Sequence, residues 1–199
     1  GTGEMNELAV IVLAAGKGTR MKSDLPKVLH RAAGRSLLGH VLHAAAALLP
    51  ARTVIVSGPG MDGVAAESRR IIPGAAIATQ TERNGTAHAV SMARAALDGF
   101  SGTVLVLYGD VPLIEAETLK RLTGLVSDAV PMAVLGFKAA DPHGYGRLLR
   151  DDPERVTAIR EELDATPEQR KINLCNSGII AINSKTLWAT LPNIGNANA

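Results

Sequence analysis

The chain predicts an α/β fold built on an open, mostly parallel sheet, and three observations carry that expectation. Short apolar runs rich in β-branched residues alternate with longer stretches of helical period, the pattern of strands and crossover helices. The first run, LAVIVL at 8–13, is apolar at every position, as a central strand covered on both faces must be. Pro50, Pro73, Pro112 and Pro131 fall at the ends of elements rather than inside them.

Taken in order, the strands expected after 8–13 are 53–57, 75–79, 103–108, 131–137 and 178–182, each a short apolar or β-branched run. Between them 36–49, 62–71, 85–97 and 115–126 have helical period. From 138 to 170 the texture changes. Charge density rises, and 147–164 reads as an exposed hairpin and helix inserted between two core strands, a natural carrier of substrate contacts. Both ends read as incomplete: 1–4 as a remnant of expression, and 192–199 as an Asn/Ala/Gly tail without helix caps or a closing strand. The expectation is therefore a piece of a longer protein.

Composition bounds the function. With 199 residues, 46% of them hydrophobic and 20% charged, the chain is long enough to close a core without disulfides or a structural metal. A net charge of +2 argues against a general nucleic-acid surface. The single cysteine, Cys175, has no partner for an internal disulfide, and no apolar stretch approaches the roughly 20 residues of a membrane span. A reducing cytoplasm is the expected compartment.

The first strand runs directly into AAGKGTRM at 14–21. Two glycines at the carboxyl end of the first strand of a parallel sheet let backbone N–H groups approach a ligand closely, in the crevice where open α/β sheets bind. Between 16 and 35, Lys17, Arg20, Lys22, Lys27, Arg31 and Arg35 face the single acid Asp24, so the positive charge of the chain is concentrated on one loop. That is an anion cradle suited to a triphosphate. A dinucleotide fingerprint would need glycine where Met21 stands, and a P-loop would need Ser or Thr where Gly18 follows Lys17. The bland reading is a tight βα turn with solvated lysines.

Taken whole, 13–30 (LAAGKGTRMKSDLPKVLH) resembles the signature of the sugar-1-phosphate nucleotidyltransferases, in particular of the uridyltransferase domains that make UDP-N-acetylglucosamine. Further segments match that family in order: 80–89 (QTERNGTAHA), 108–113 (YGDVPL), 143–147 (HGYGR), 164–170 (DATPEQR) and 176–179 (NSGI). The resemblance implies a Rossmann-like open, mostly parallel sheet with helices on both faces, of the nucleotide-diphospho-sugar transferase type. Residues 1–199 would form the uridyltransferase (pyrophosphorylase) domain, incomplete at its C-terminus, with 138–170 an inserted sugar-binding segment.

The implied reaction is in-line attack by an oxygen of N-acetylglucosamine 1-phosphate on the α-phosphorus of UTP, with loss of pyrophosphate, in the synthesis of cell-wall precursors. Such chemistry asks for positioning and charge neutralisation rather than a covalent nucleophile. The resemblance makes Arg20, Lys27 and Asp110 catalytic, with Leu13, Ala14, Ala15 and Gly16 lining the nucleotide. Gln80, Gly85 and Thr86 would read uracil and adjacent groups, since a glutamine amide offers both donor and acceptor to an imide edge. By itself Gln80 reads as an ordinary surface glutamine. Tyr108 ends an apolar strand and Gly109 and Asp110 follow it, which places a carboxylate at the sheet's carboxyl edge, where a hard oxygen ligand suits Mg²⁺. The competing reading of Asp110 is a helix-entry cap. The acceptor sugar would meet Gly146, Glu161 and Asn176; on sequence alone Glu161 belongs to a solvated charge run.

His40 and His43 lack a third ligand at recognisable spacing, so no zinc site is expected. His30 and His88 lie inside matched segments, but attack by a phosphate oxygen needs no general base and neither receives an acid/base role. The resemblance also implies a second Mg²⁺ ligand and an acetyltransferase domain beyond position 199, through which the parent would form a homo-oligomer. Two other readings stay open: a related nucleotidyltransferase with a different base or sugar, and a non-catalytic nucleotide sensor. A pure interaction module has no need of so many chemistry-bearing segments.

Overall fold

The computed structural model describes residues 7–16, 25–82, 84–112, 114–153 and 155–194. They divide into two compact units, the first formed by Gly1–Ala133 with Ala181–Ala199 and the second by Val134–Ile180.

The first unit is organised on parallel strands. In chain order it contains β1 (Leu8–Leu13), a 3-10 turn (Lys27–Leu29), the two-residue strands β2 (Arg31–Ala32) and β3 (Arg35–Ser36), α1 (Leu37–Ala46), β4 (Arg52–Ser57), α2 (Asp62–Ile71) and β5 (Ala76–Thr79). Then follow α3 (Thr86–Ser91), a 3-10 turn (Ala95–Leu97), β6 (Thr103–Tyr108) and α4 (Ala116–Gly124). The strand order is β5-β4-β1-β6, with every pairing parallel. β1 is central: Val10 pairs with Thr53 of β4 on one side and Leu105 of β6 on the other. Ala9 to Val12 are fully buried, which is what an uninterrupted apolar run between two helical layers requires.

Local chemistry sets the helix ends. Ser36 caps α1 by accepting from the Gly39 amide at 2.8 Å, and Leu38 and Leu42, one turn apart, are buried completely. α2 carries Asp62 in its first turn and Arg69 and Arg70 in its last, in the sense that the helix dipole favours. α1 packs against α2 and α4, while α3 packs against β1 and the last helix, Ser184–Ile194.

The second unit holds most of β7 (Met132–Lys138), the hairpin of β8 (Arg147–Asp152) and β9 (Arg155–Arg160), a 3-10 turn (Glu162–Asp164) and α5 (Pro167–Arg170). It also holds the first part of β10 (Leu174–Asn183), which is followed by α6 (Ser184–Ile194). β8 pairs antiparallel with both β9 and β10. Thr166 and Gln169 close a capping box around α5 with Pro167 in its first turn, so part of the matched segment 164–170 is helix-start chemistry.

Four expectations need correction. The helix expected over 85–97 stops at Ser91 and resumes only as a 3-10 turn, because past Met92 the backbone bonds tighten from i−4 to i−3: Ala93 donates to Val90 at 3.0 Å and Arg94 to Ser91 at 3.2 Å. The tail expected from Pro192 begins inside α6, whose Leu187 and Leu191 stand one turn apart and are buried; 195–199 lie outside the described residues. The run 147–164 is not exposed throughout, since Arg147 is 1% and Leu148 3% accessible. The last strand is longer than 178–182 and begins at Leu174. Cys175, within it, is fully buried with Sγ 3.5 Å from the Asn173 carbonyl, a packing role.

Candidate functional site

β1 and β6 end side by side in the first unit, and their carboxyl ends, with the residue that follows β5, line an open cleft of about 320 Å³. The edge is locked by backbone hydrogen bonds: Ala14 donates to Val56, Gly109 to Leu13 and Gln80 to Ser57, at 2.8, 2.9 and 2.8 Å. Leu13, Ala14, Ala15, Gly16, Lys27, Gln80, Gly85, Thr86, Tyr108 and Asp110 all line the cleft. So do Val28 and Ala89, two apolar residues that carried no chemical signal in the sequence.

Gly109 does not line it. It is buried behind the wall, where a Cβ would come 3.2 Å from Val28 and 3.3 Å from Leu38, a fit tight enough that either neighbour would have to give way. Arg20, Lys17 and Lys22 lie outside the described residues. Of the loop cations that are described, only Lys27 borders the cleft. Arg31 instead donates to the Gly34 carbonyl at 2.5 Å, within the β2–β3 ribbon.

Lys27 is delivered by the 3-10 turn that Pro26 initiates. The adjacent Val28 is 3% accessible and anchors the turn, so its neighbour is directed to the cleft. Lys27 Nζ reaches Asp110 Oδ2 at 3.4 Å, and both side chains remain about half exposed. Asp110 does not cap a helix. α4 starts only at Ala116, after Glu115, which leaves the Asp110 carboxylate turned to the lysine. Tyr108 stands beside them. Burial pushes its phenol above the ordinary 10.0, the Asp110 charge adds to the rise and the Thr86 hydroxyl opposes it, so the ring keeps its proton as a donor.

Gln80 is 8% accessible at the end of β5. Its amide nitrogen lies 3.3 Å from the Gly85 carbonyl and 3.0 Å from His88 Nδ1. Gly85, at φ +90°, turns the chain into α3 through a region that side chains disfavour.

In the second unit the three expected sugar contacts come together. The Asn176 amide donates to the Gly146 carbonyl at 2.8 Å, and a Cβ on Gly146 would lie 3.3 Å from Glu161 Oε1. The residue that sequence reasoning missed is next door. Glu162, one member of the apparent charge run, accepts from Arg147 Nη2 at 3.2 Å and from the Gly144 amide, with His143 Nδ1 at 3.3 Å. Arg147 also donates to the carbonyls of Tyr145 and Arg170. Partial burial works to raise the Glu162 carboxyl; the Gly144 and Arg147 hydrogen bonds and the charges of His143 and Arg147 outweigh it and hold the group below its ordinary 4.5.

A glycine-containing strand end, a lysine and a carboxylate thus meet in one cleft, and residues 10–171 match the model of the MobA-like NTP transferase domain. The chain belongs to that family. Among NTP transferase relatives, the bifunctional protein GlmU of Azorhizobium caulinodans is 53% identical over 192 residues, covering 96% of this chain and 43% of that protein. GlmU of Rhodospirillum rubrum is 52% identical over 197 residues, covering 98% and 43%. The chain thus spans less than half the length of the curated relatives it matches. A UDP-glucose pyrophosphorylase solved with UDP-glucose superimposes with a TM-score of 0.74 at 19% identity, covering 94% of this chain and 80% of its own. The nucleotide-diphospho-sugar transferase fold is therefore the fold of this NTP transferase domain. No helix among its described residues is long and apolar enough to cross a membrane.

Proposed function

We propose that the chain is the uridylyl-transferring part of a sugar-1-phosphate nucleotidyltransferase, taking UTP and N-acetylglucosamine 1-phosphate to UDP-N-acetylglucosamine and pyrophosphate. The observation that carries this reading is the meeting of Lys27 and Asp110 in the cleft that the first strand's glycine end and Gln80 also line. The choice of uridine and of the amino sugar follows the resemblance of 13–30, 80–89 and 108–113 to the uridyltransferase signature.

In the reaction a phosphate oxygen of the sugar 1-phosphate forms a new bond to the α-phosphorus of UTP, and the bond from that phosphorus to the bridging oxygen of pyrophosphate breaks. No proton has to be removed from the nucleophile. What the protein supplies is position and positive potential. The strand-end residues Leu13 to Gly16 border the nucleotide, Lys27 brings an ammonium to the reacting phosphates, and Gln80 meets the base. Gly146, Glu161 and Asn176 offer amide, carboxylate and carboxamide groups to sugar hydroxyls and to the N-acetyl oxygen.

Asp110 fits a Mg²⁺ ion that arrives with the triphosphate. Such an ion takes one or two protein carboxylates and fills its other positions with phosphate and water. Among the described residues no group of three or more His, Cys, Asp or Glu is gathered that could hold a metal without substrate. When bound, Mg²⁺ would supply charge neutralisation on the phosphate oxygens.

The test is pyrophosphate release with all four nucleoside triphosphates and several sugar 1-phosphates, on this chain and on a longer one. Release restricted to UTP with N-acetylglucosamine 1-phosphate supports the reading. Another preferred pair transfers the assignment to a related nucleotidyltransferase, and nucleotide binding without turnover in both chains would make the protein a sensor.

A further inference from the structure

Within the proposed uridylyl site, the base-reading amide is not free to choose which end it presents. Gln80 has two N–H donors and one carbonyl acceptor on its side chain. One N–H points to the Gly85 carbonyl at 3.3 Å and the other to His88 Nδ1 at 3.0 Å. The Gly85 oxygen can only accept, so turning the amide round would set two carbonyl oxygens against each other. That fixes the orientation on chemical grounds. It also requires an unprotonated Nδ1 on His88, with the ring proton on Nε2. Both donors of Gln80 are therefore spent inside the protein. Among the described residues its oxygen meets no donor, and Gln80 borders the cleft.

We propose that His88 is a specificity-determining positioning residue, holding the Gln80 amide so that only its carbonyl oxygen faces the nucleobase. A bare acceptor selects bases that carry an imino N–H at the matching edge, as uracil does at N3. It repels cytosine, whose N3 is a lone pair. Discrimination of this kind rests on a buried polar group that the wrong ligand leaves unpaired or opposed, and is larger than shape alone provides. The inference deepens the uridylyl reading of the cleft and rests on it. It gives His88 a task that is neither general acid nor general base.

The test uses this chain and direct binding, so that it does not depend on turnover. UTP and CTP are titrated calorimetrically into the wild type, His88→Leu and His88→Asn. Leucine removes the acceptor, while the asparagine oxygen can stand where Nδ1 stood. The wild type should prefer UTP. His88→Leu should lose about tenfold or more of that preference, the worth of one hydrogen bond of roughly 1.4 kcal/mol, and His88→Asn should recover most of it. A folded His88→Leu protein with the wild-type ratio of UTP to CTP affinity would overturn the role of His88 while leaving the uridylyl site standing. A wild type that binds neither nucleotide, or prefers CTP, would overturn both. Should His88→Leu fail to fold, ¹⁵N NMR of the wild-type imidazole decides: a protonated Nδ1 in the neutral ring refutes the arrangement, and an unprotonated Nδ1 supports it.

Discussion

Lys27 Nζ stands 3.4 Å from Asp110 Oδ2, which joins a cation from the turn after the glycine loop to a carboxylate at the end of β6. With side chains 50% and 40% accessible, the pair adds little to stability, on the order of 0–1 kcal/mol. Its value is in presenting opposite charges to one cleft. Lys27→Ala should leave the melting temperature nearly unchanged and lower uridylyl transfer by roughly 10²–10³-fold, the usual cost of removing one preorganised charge from a transition state. Pyrophosphate release and thermal melting measured on the same preparation check both halves. Near-normal turnover in the variant would remove Lys27 from the reaction.

Glu162 gives a pH prediction. Its folded-state pKa is depressed below 4.5 by the Gly144 amide, Arg147 and His143 despite partial burial, so its ionised form stabilises the second unit above about pH 4.5. That contribution is lost as pH falls through the folded value. Glu162→Gln should therefore be less stable than wild type at neutral pH, and the gap should close in acid. Denaturant titrations at several pH values test this, and a gap independent of pH would argue against the ion pair.

Gly102, at φ +154°, faces the Glu7 carbonyl so closely that a Cβ would lie 2.3 Å from its oxygen. The obstacle is backbone and yields poorly. Gly102→Ala should cost about 1–3 kcal/mol in equilibrium unfolding. A change within a few tenths of a kcal/mol would show that the loop before β6 relaxes freely.

Ser36 is 5% accessible, and its hydroxyl takes the Gly39 amide at 2.8 Å at the start of α1. Ser36→Ala should lower stability by about 1 kcal/mol, because a buried helix-end donor loses its partner. Chemical denaturation measures it, with Ser36→Thr as the variant that keeps the oxygen.

The sequence by itself determined the layout of the parallel strands and of most helices, because burial on both faces leaves its mark as unbroken apolar runs such as Ala9 to Val12. It also singled out Lys27, Gln80 and Asp110 as candidates, through the resemblance of their segments to the sugar-1-phosphate nucleotidyltransferases. Elements fixed by less periodic forces were illegible. The β2–β3 ribbon is two residues a side, α3 passes into i−3 turns after Ser91, and α6 runs on into Pro192. Only tertiary structure decided which charges are buried. Arg147 and Glu162 look like the solvated neighbours around them, yet the fold places the guanidinium at 1% accessibility with the carboxylate against it. The same holds for His88, whose role depends on an amide eight residues away across the turn into α3. Hydrophobic pattern is written along the chain, residue by residue; the partner of a polar group is set by which segments the packed core brings together.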